Sequence, residues 1–210
     1  MNKYSKGNVS LISLGLNIVI LLVAGFLYMS SEDKKPTEIL KAIPEAYKCL
    51  GGDFVLNSVD GPVSLADYRG KTVVLYFGYA SCPDVCPTSL GLLSLALRKL
   101  EPEELEKLQV MFISVDPERD TVDKLKTYAE AFHPNMIGIT GSAKEIAAVA
   151  RHYGVMYAKV EMPNSALGYS VDHSSRYYVV GKDGAVKKFI EHGTAPKEIV
   201  TQLRSVMNKR

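Results

Sequence analysis

Two cysteines separated by three residues, Cys82 and Cys86, are the side chains of this sequence that are best placed to do chemistry. Each is followed directly by a proline, Pro83 and Pro87, which restricts the local backbone. An apolar, β-rich run ends just before the pair, and a helical pattern begins just after it. Unpaired N–H groups and the dipole at a helix N-terminus favour thiolates. The pair therefore predicts a functional dithiol, with a structural disulfide as the alternative.

The spacing of the two cysteines carries information of its own. Dithiols of the thioredoxin type have two intervening residues, whereas Cys82 and Cys86 have three. The extra residue lets both sulfurs converge on one ion and still permits a Cys82–Cys86 disulfide after local adjustment. Because two thiolates alone hold a metal weakly, a third ligand is expected.

The elements that must position this pair alternate between strands and helices. Continuous apolar runs and period-two patterns predict strands, stripes of leucine and a capping box predict helices, and Asp-Gly turns predict hairpins. The expected order is β-α-β-α-β-α-β-β-α after an N-terminal hairpin, an α/β domain with a mixed sheet and a thioredoxin-like arrangement. The predicted strands are 54–56, 63–65, 72–79, 108–115, 136–140, 177–180 and 186–190, with 157–161 as a further candidate strand outside this order, and the predicted helices are 88–100, 121–132, 142–152 and 194–207.

His173 is the expected third ligand. It lies in the loop before the strand 177–180, and in a thioredoxin-like layout that loop faces the cysteine pair. Asp172 beside it is placed to orient the imidazole ring from outside the ligand set. The other histidines have weaker claims: His133 is expected at the surface and His152 is expected to be structural, while the role of His192 stays open.

The ligand set favours copper. Two sulfurs and one imidazole suit Cu(I), can hold Cu(II), and need a fourth ligand to make a zinc site. Structural zinc sites usually have their four ligands in two local pairs, and the sequence has no second pair.

An uncharged run near the N-terminus predicts a single transmembrane helix. No charge occurs between Lys6 and Glu32, and the twenty residues from Val9 to Tyr28 contain one strongly polar side chain, Asn17. At about 1.5 Å per residue, such a helix spans the roughly 30 Å of a hydrocarbon core. A cleavable signal peptide is the alternative, although the run is long for one and no A-x-A site follows it.

The chain is therefore divided into four segments. Residues 1–8 form a cytoplasmic tail, 9–29 the anchor, 30–48 a polar tether, and 49–210 the thioredoxin-like domain. The lysines on the two sides of the anchor nearly balance, so charge alone leaves its orientation open. The third cysteine, Cys49, lies at the tether–domain junction and is interpreted as a lone thiol, with an intermolecular disulfide as the minor alternative.

The composition excludes several classes of protein. With 47% hydrophobic and 23% charged residues among 210, the chain is neither disordered nor a disulfide-dense miniprotein. Its net charge of +2, without a basic cluster, gives no electrostatic footprint for nucleic acid.

Four stretches of this sequence together resemble the Sco/SenC family, in the family's order and spacing. They are YFGY at 76–79, CPDVCP at 82–87, SVDPERDT at 114–121 and VDHS at 171–174. The resemblance runs from about residue 50 to the C-terminus, and an anchor followed by a tether is also typical of the family. Within it, the loop 116–121 matches the family pattern, but its residues suggest no role of their own.

The resemblance implies a thioredoxin-like domain that binds one copper ion through Cys82, Cys86 and His173. It also implies a metallochaperone that helps to assemble the binuclear copper A centre of cytochrome c oxidase, with the copper A subunit as partner and an unknown copper donor. Bacterial members face the periplasm, which implies a single-pass anchor in the inner (cytoplasmic) membrane.

Three functions compete for the site. Copper delivery is favoured, with a Cys82–Cys86 disulfide as its redox gate. A membrane-anchored thiol–disulfide oxidoreductase that reduces the partner's copper-site cysteines is the alternative. It has no need of His173, and 171–176 lacks the proline that thioredoxin-type reductases have before the penultimate strand. A thiol peroxidase is weaker still, because it needs an assisting arginine and none is near Cys82 in sequence.

Overall fold

The computed structural model describes residues 50–208. Nine strands lie in this part of the chain: β1 (Val55–Ser58), β2 (Gly61–Ser64), β3 (Thr72–Gly78), β4 (Leu108–Ser114), β5 (Met136–Ile139), β6 (Tyr157–Glu161), β7 (Tyr169–His173), β8 (Tyr177–Val180) and β9 (Val186–Ile190). The α-helices described are α1 (Val85–Leu97), α2 (Pro102–Leu105), α3 (Val122–Phe132), α4 (Ala143–Tyr153) and α5 (Pro196–Met207), and a 3₁₀ turn covers Leu65–Tyr68.

A mixed five-stranded sheet in the order β5-β4-β3-β8-β9 forms the centre of the domain. β3 pairs in parallel with β4 and antiparallel with β8, so that Tyr76 has Phe112 on one side and Tyr177 on the other. Every residue of β3 is buried. The continuous apolar run predicted a strand that is covered on both faces, and the burial of β3 confirms it.

Two hairpins form two-stranded sheets of their own. β1 and β2 form the predicted N-terminal hairpin, and Gly61 adopts a φ of +115° at its turn. β6 pairs with β7 in a second two-stranded sheet, in which Tyr157 lies opposite His173. The prediction of a loop at His173 was therefore wrong, because His173 is the last residue of β7. The polar residues Ser170 and Asp172 had hidden the strand, because β7 buries only Val171 and so lacks an apolar run.

Two helix starts also differ from prediction. α1 begins at Val85 rather than at 88, which puts Cys86 in the first turn and Pro87 where its missing N–H is harmless. α5 begins at Pro196 after Ala195, and Thr194 does not cap it; the Thr194 hydroxyl instead donates to the Glu191 carbonyl. The predicted capping box at the start of α4 is confirmed.

No helix within residues 50–208 is long and apolar enough to cross a bilayer. The predicted tail (1–8), anchor (9–29) and tether (30–48) lie outside the described residues, as does Cys49. The domain boundaries drawn from the sequence accordingly stay predictions.

Candidate metal centre

The cysteine pair lies where β3 gives way to α1. Cys82 is in a turn closed by its backbone N–H, which donates to the Tyr79 carbonyl at 3.1 Å, and Cys86 is fully buried in the first helical turn. The Cys86 sulfur packs against the end of β3 at Gly78, where an added Cβ would lie only 2.6 Å from it. A glycine at this position lets the helix bring its sulfur against the sheet.

His173 reaches the same place from β7. Its Nε2 lies 3.2 Å from the Cys86 Sγ, and its Nδ1 lies 3.2 Å from the Ser174 carbonyl oxygen. Because a carbonyl can only accept, this second contact is a hydrogen bond when Nδ1 carries the ring proton. That tautomer leaves the lone pair of Nε2 directed at the cysteine sulfur, as a metal ligand requires.

The structure therefore brings together the three ligand residues predicted from the sequence. The two sulfurs and one ring nitrogen of Cys82, Cys86 and His173 all lie within 4.8 Å of one another. The Tyr76 and Tyr79 rings stand edge-on to the imidazole, at centroid distances of 6.3 and 5.8 Å. The two sulfurs and the ring nitrogen therefore face one another beside aromatic rings, in largely apolar surroundings.

The two thiols have opposite acidities in the metal-free site. A hydrogen bond from the Cys86 thiol, together with backbone N–H groups at the helix start, lowers the pKa of Cys82 from its ordinary value. The same hydrogen bond to Cys82, together with burial, raises the pKa of Cys86. The environment therefore favours the charged form at Cys82 and the neutral thiol at Cys86.

A cavity of about 340 Å³ opens over this centre, and its walls include Tyr79, Cys82, Asp84, Asp172 and His173. Cys82 is 9% exposed and Cys86 is 0% exposed, so Cys82 is the more accessible thiol. Asp172 is exposed at this cavity, and the hydrogen-bond partner of the His173 Nδ1 is the Ser174 carbonyl. The role proposed for Asp172 from the sequence stays a prediction.

The other histidines lie away from the three ligand atoms. His133 is buried, so the expectation of a surface position was wrong: its Nδ1 accepts from the Asn135 N–H in the turn before β5, and burial lowers its pKa. His152 is exposed on α4. The His192 Nδ1 lies 2.7 Å from the hydroxyl of Ser89, one turn after Cys86 on α1.

The loop 116–120 supports the centre, a role that its residue types did not predict. Asp120 is buried and accepts hydrogen bonds from the Ala80 N–H, beside the cysteine loop, and from Ser114. Arg119 donates to carbonyl oxygens of the β6–β7 hairpin at Leu167 and Tyr169. The available signal was a dense set of charges directly after β4, the parallel neighbour of β3.

A family model described as SCO1/SenC matches residues 44–208. The chain belongs to the SCO1/SenC family. A SCO2-like protein of Rickettsia felis is 35% identical over 191 residues, which cover 89% of this chain and 93% of the relative. The predicted resemblance is confirmed by these matches.

Solved structures of Sco proteins share the fold. Arabidopsis thaliana ScoI with copper bound has a TM-score of 0.71 and 38% identity, over 77% of this chain and 99% of that structure. BsSco, a member of the Sco family of cytochrome c oxidase assembly proteins in which a disulfide switch was identified, has a TM-score of 0.59 and 28% identity, over 78% and 95%. The predicted thioredoxin-like α/β domain is confirmed for the described residues.

Proposed function

We propose that this Sco-family protein binds one copper ion through Cys82, Cys86 and His173 and delivers it during assembly of the copper A centre of cytochrome c oxidase. The observation that carries the proposal is the meeting of three soft ligand atoms within 4.8 Å of one another. Copper is bound in the related Arabidopsis ScoI, and BsSco belongs to a family of cytochrome c oxidase assembly proteins; both support the choice of metal and pathway.

The residues present fit copper as cargo. Thiolate and imidazole are ligands that copper accepts in either oxidation state, and the ring tautomer set by the Ser174 carbonyl leaves Nε2 free to bind. Copper supplies no chemistry of its own here, because the reaction is a ligand exchange with the acceptor. Cys82 borders the open cavity and is the thiolate that an acceptor's ligand reaches first, whereas Cys86 is fully buried.

The redox state of the pair gates this exchange. Cys82 and Cys86 are both free thiols in the structure. Joining them as a disulfide removes two electrons and two protons, and with them both thiolate ligands. Reduction is therefore required before loading.

Transfer to an acceptor tests the proposal. The reduced, copper-loaded protein is mixed with a reduced, metal-free copper A domain from the oxidase. We expect the absorption bands of the binuclear centre to appear in the acceptor while copper leaves the donor. Failure of the acceptor to gain copper from a loaded donor would contradict delivery.

The low pKa of Cys82 favours a second candidate, thiol–disulfide exchange. The Cys82 thiolate would attack an acceptor disulfide, releasing one acceptor thiolate and forming a mixed disulfide. Cys86, after losing its proton, would then attack the Cys82 sulfur and release the second acceptor thiolate. Reduction of an oxidised, copper-free acceptor by the reduced, metal-free protein tests this reaction. The thiol peroxidase alternative gains no support, because the described hydrogen bonds of Arg119 run from Nε and Nη1 to Asp116 and to two hairpin carbonyls, not to Cys82.

We also propose that residues 9–29 anchor the protein in the inner membrane, with the domain in the periplasm. The uncharged run described above supports the anchor, and ligand exchange with the oxidase copper A subunit requires the domain on that side. Proteolysis of intact spheroplasts tests the orientation: the domain should be cleaved without lysis. N-terminal sequencing separates an uncleaved anchor from a signal peptide.

A further inference from the structure

We propose that the adjacent residues Arg119 and Asp120 position the metal centre as a brace, in which Asp120 holds the cysteine loop and Arg119 holds the hairpin that carries His173. The proposal deepens the proposed function and rests on it where copper binding is concerned. Neither residue belongs to the set of ligand atoms, so both act as positioning residues.

Asp120 forms the cysteine arm of the brace. Its Oδ2 accepts from the Ala80 N–H at 2.8 Å and from the Ser114 hydroxyl at 2.7 Å. Its Oδ1 accepts from the Lys124 ammonium at 2.8 Å, and that ammonium also donates to the Ser81 hydroxyl at 3.0 Å. Ala80 and Ser81 directly precede Cys82, so this buried carboxylate fixes the backbone that leads to the first sulfur.

Arg119 forms the histidine arm. Its Nη1 donates to the carbonyl oxygens of Leu167 and Tyr169 at 3.1 and 2.9 Å, and its guanidinium lies over the Tyr169 ring at 3.6 Å. Asp116 holds the same guanidinium through Nε at 2.6 Å and accepts from the Tyr169 hydroxyl at 2.8 Å. Tyr169 begins β7 and His173 ends it, so the arginine fixes the strand that carries the ligand.

The β6–β7 hairpin needs such an anchor. Among the described residues it forms a sheet of two strands, separate from the five-stranded sheet. Four of the five residues of β6 are exposed, and of the residues of β7 only Val171 is buried. An isolated two-stranded hairpin is marginally stable in water. The charged contact of Arg119 Nη1 with the carbonyl oxygens of Leu167 and Tyr169 is therefore what docks β7 close enough for His173 to reach Cys86.

Arg119→Gln tests the histidine arm, with Lys159→Gln as its matched control. Lys159 also places a cation over the Tyr169 ring, at 3.9 Å, and pairs with exposed Glu118, but it holds no hairpin carbonyl in a described contact. Such exposed pairs contribute little. The full-length chain in detergent is reduced and measured for amide hydrogen exchange without metal, and for copper affinity by chelator competition.

We expect Arg119→Gln to speed exchange at the amides of β7 while leaving β3 unchanged, and to weaken copper binding about tenfold or more. The thiolate-to-Cu(II) charge-transfer bands should shift, because the sulfurs remain while the imidazole is displaced. Lys159→Gln should behave like wild type in all three measurements. Wild-type exchange and wild-type affinity in Arg119→Gln would overturn the proposal.

Asp120→Asn tests the cysteine arm, and it should affect the cysteine pair while leaving β7 unaffected. We expect a changed Cys82–Cys86 midpoint potential, since the thiol-bearing loop is released, with β7 exchange as in wild type. An unchanged potential would remove Asp120 from the brace. If Arg119→Gln fails to fold by circular dichroism, Arg119→Lys replaces it. Lysine keeps the charge but lacks the planar guanidinium that contacts Asp116 and the hairpin carbonyls together, so this variant must also show faster exchange at the β7 amides.

The failure of the proposed function is distinguishable from the failure of the brace. If the wild-type protein binds no copper, the proposed function falls, while hydrogen exchange in the metal-free protein still decides whether Arg119 docks β7. If the wild type binds copper and Arg119→Gln changes neither exchange nor affinity, the brace falls and the proposed function stands.

Discussion

The Cys86 Sγ and the His173 Nε2 lie 3.2 Å apart, although 87 positions separate the two residues in sequence. The contact depends on two independent placements. Gly78 lets the first turn of α1 bring its sulfur against the end of β3, and the β6–β7 hairpin carries the imidazole across to it. A metal site of this kind is created by tertiary structure, and each placement can be changed separately.

Replacing either site cysteine removes a thiolate from the ligand set. We expect Cys82→Ser and Cys86→Ser each to abolish tight copper binding, because a serine hydroxyl is a poor ligand for a soft ion. Cys49→Ser, which removes the remaining thiol of the chain, is the control and should bind like wild type. Copper competition against a calibrated chelator makes the comparison, and tight binding by either site variant would refute the assigned ligands.

Gly78→Ala is expected to disturb the site without changing a ligand. The new methyl group would lie 2.6 Å from the Cys86 sulfur and 3.0 Å from the Phe112 ring, so α1 has to shift. Overpacking of this kind costs about 1–3 kcal/mol of unfolding free energy, and copper affinity should fall with it.

Gly91→Ala is the matched control for that substitution. Gly91 lies on the same helix, and a Cβ there would meet no described heavy atom within 4 Å. Alanine in place of glycine inside a helix should stabilise the protein by about 0.5–1 kcal/mol. Urea unfolding of both variants decides the matter: equal stability of the two would show that the close approach at Gly78 carries no strain.

The Glu104–Arg204 pair predicts a specific pH dependence of stability. Hydrogen bonds from Arg204 and from the Glu101 N–H lower the pKa of Glu104 from its ordinary 4.5 to about 2. The folded state therefore favours the carboxylate, and its stabilisation is complete above pH 4.5 and lost as the pH falls towards 2.

Glu104→Gln measures this contribution. We expect a loss of no more than about 1 kcal/mol at pH 7, because the pair is partly exposed. The difference from wild type should shrink as the pH falls from about 4.5 towards 2, because the carboxylate is protonated first in the unfolded chain. Glu103→Gln, at an exposed position of the same helix, is the control. A difference that stayed constant across this range would show that the Glu104 charge is not responsible.

Long, regular patterns allowed much of the fold to be predicted. The apolar runs of β3 and β4 and the leucine stripe of α1 placed these elements within three residues, because burial on known faces dictates their composition. β7 was missed, since among the described residues it pairs in a two-stranded sheet with β6 and buries only Val171. A strand that buries so few side chains shows little alternation of apolar and polar residues, so its sequence does not predict it.

The ligands could be predicted from residue type, whereas their supports could not. Cys82, Cys86 and His173 stand out because few side chains bind soft metals. Arg119 and Asp120 do not, because their partners are backbone groups of Ala80, Leu167 and Tyr169, 40 to 50 positions away. A backbone N–H or carbonyl leaves no mark in the sequence.

The most direct test of the account is a competitive Cu(I) titration of the reduced full-length protein beside its His173→Ala variant, with the thiol–disulfide potential of each measured in parallel. The account predicts one tightly bound copper in the wild type, binding that is much weaker in the variant, and a Cys82–Cys86 couple that still cycles in both. Equal and weak binding by the two proteins would contradict a Cys-Cys-His copper site and leave a dithiol whose function is electron transfer to a partner.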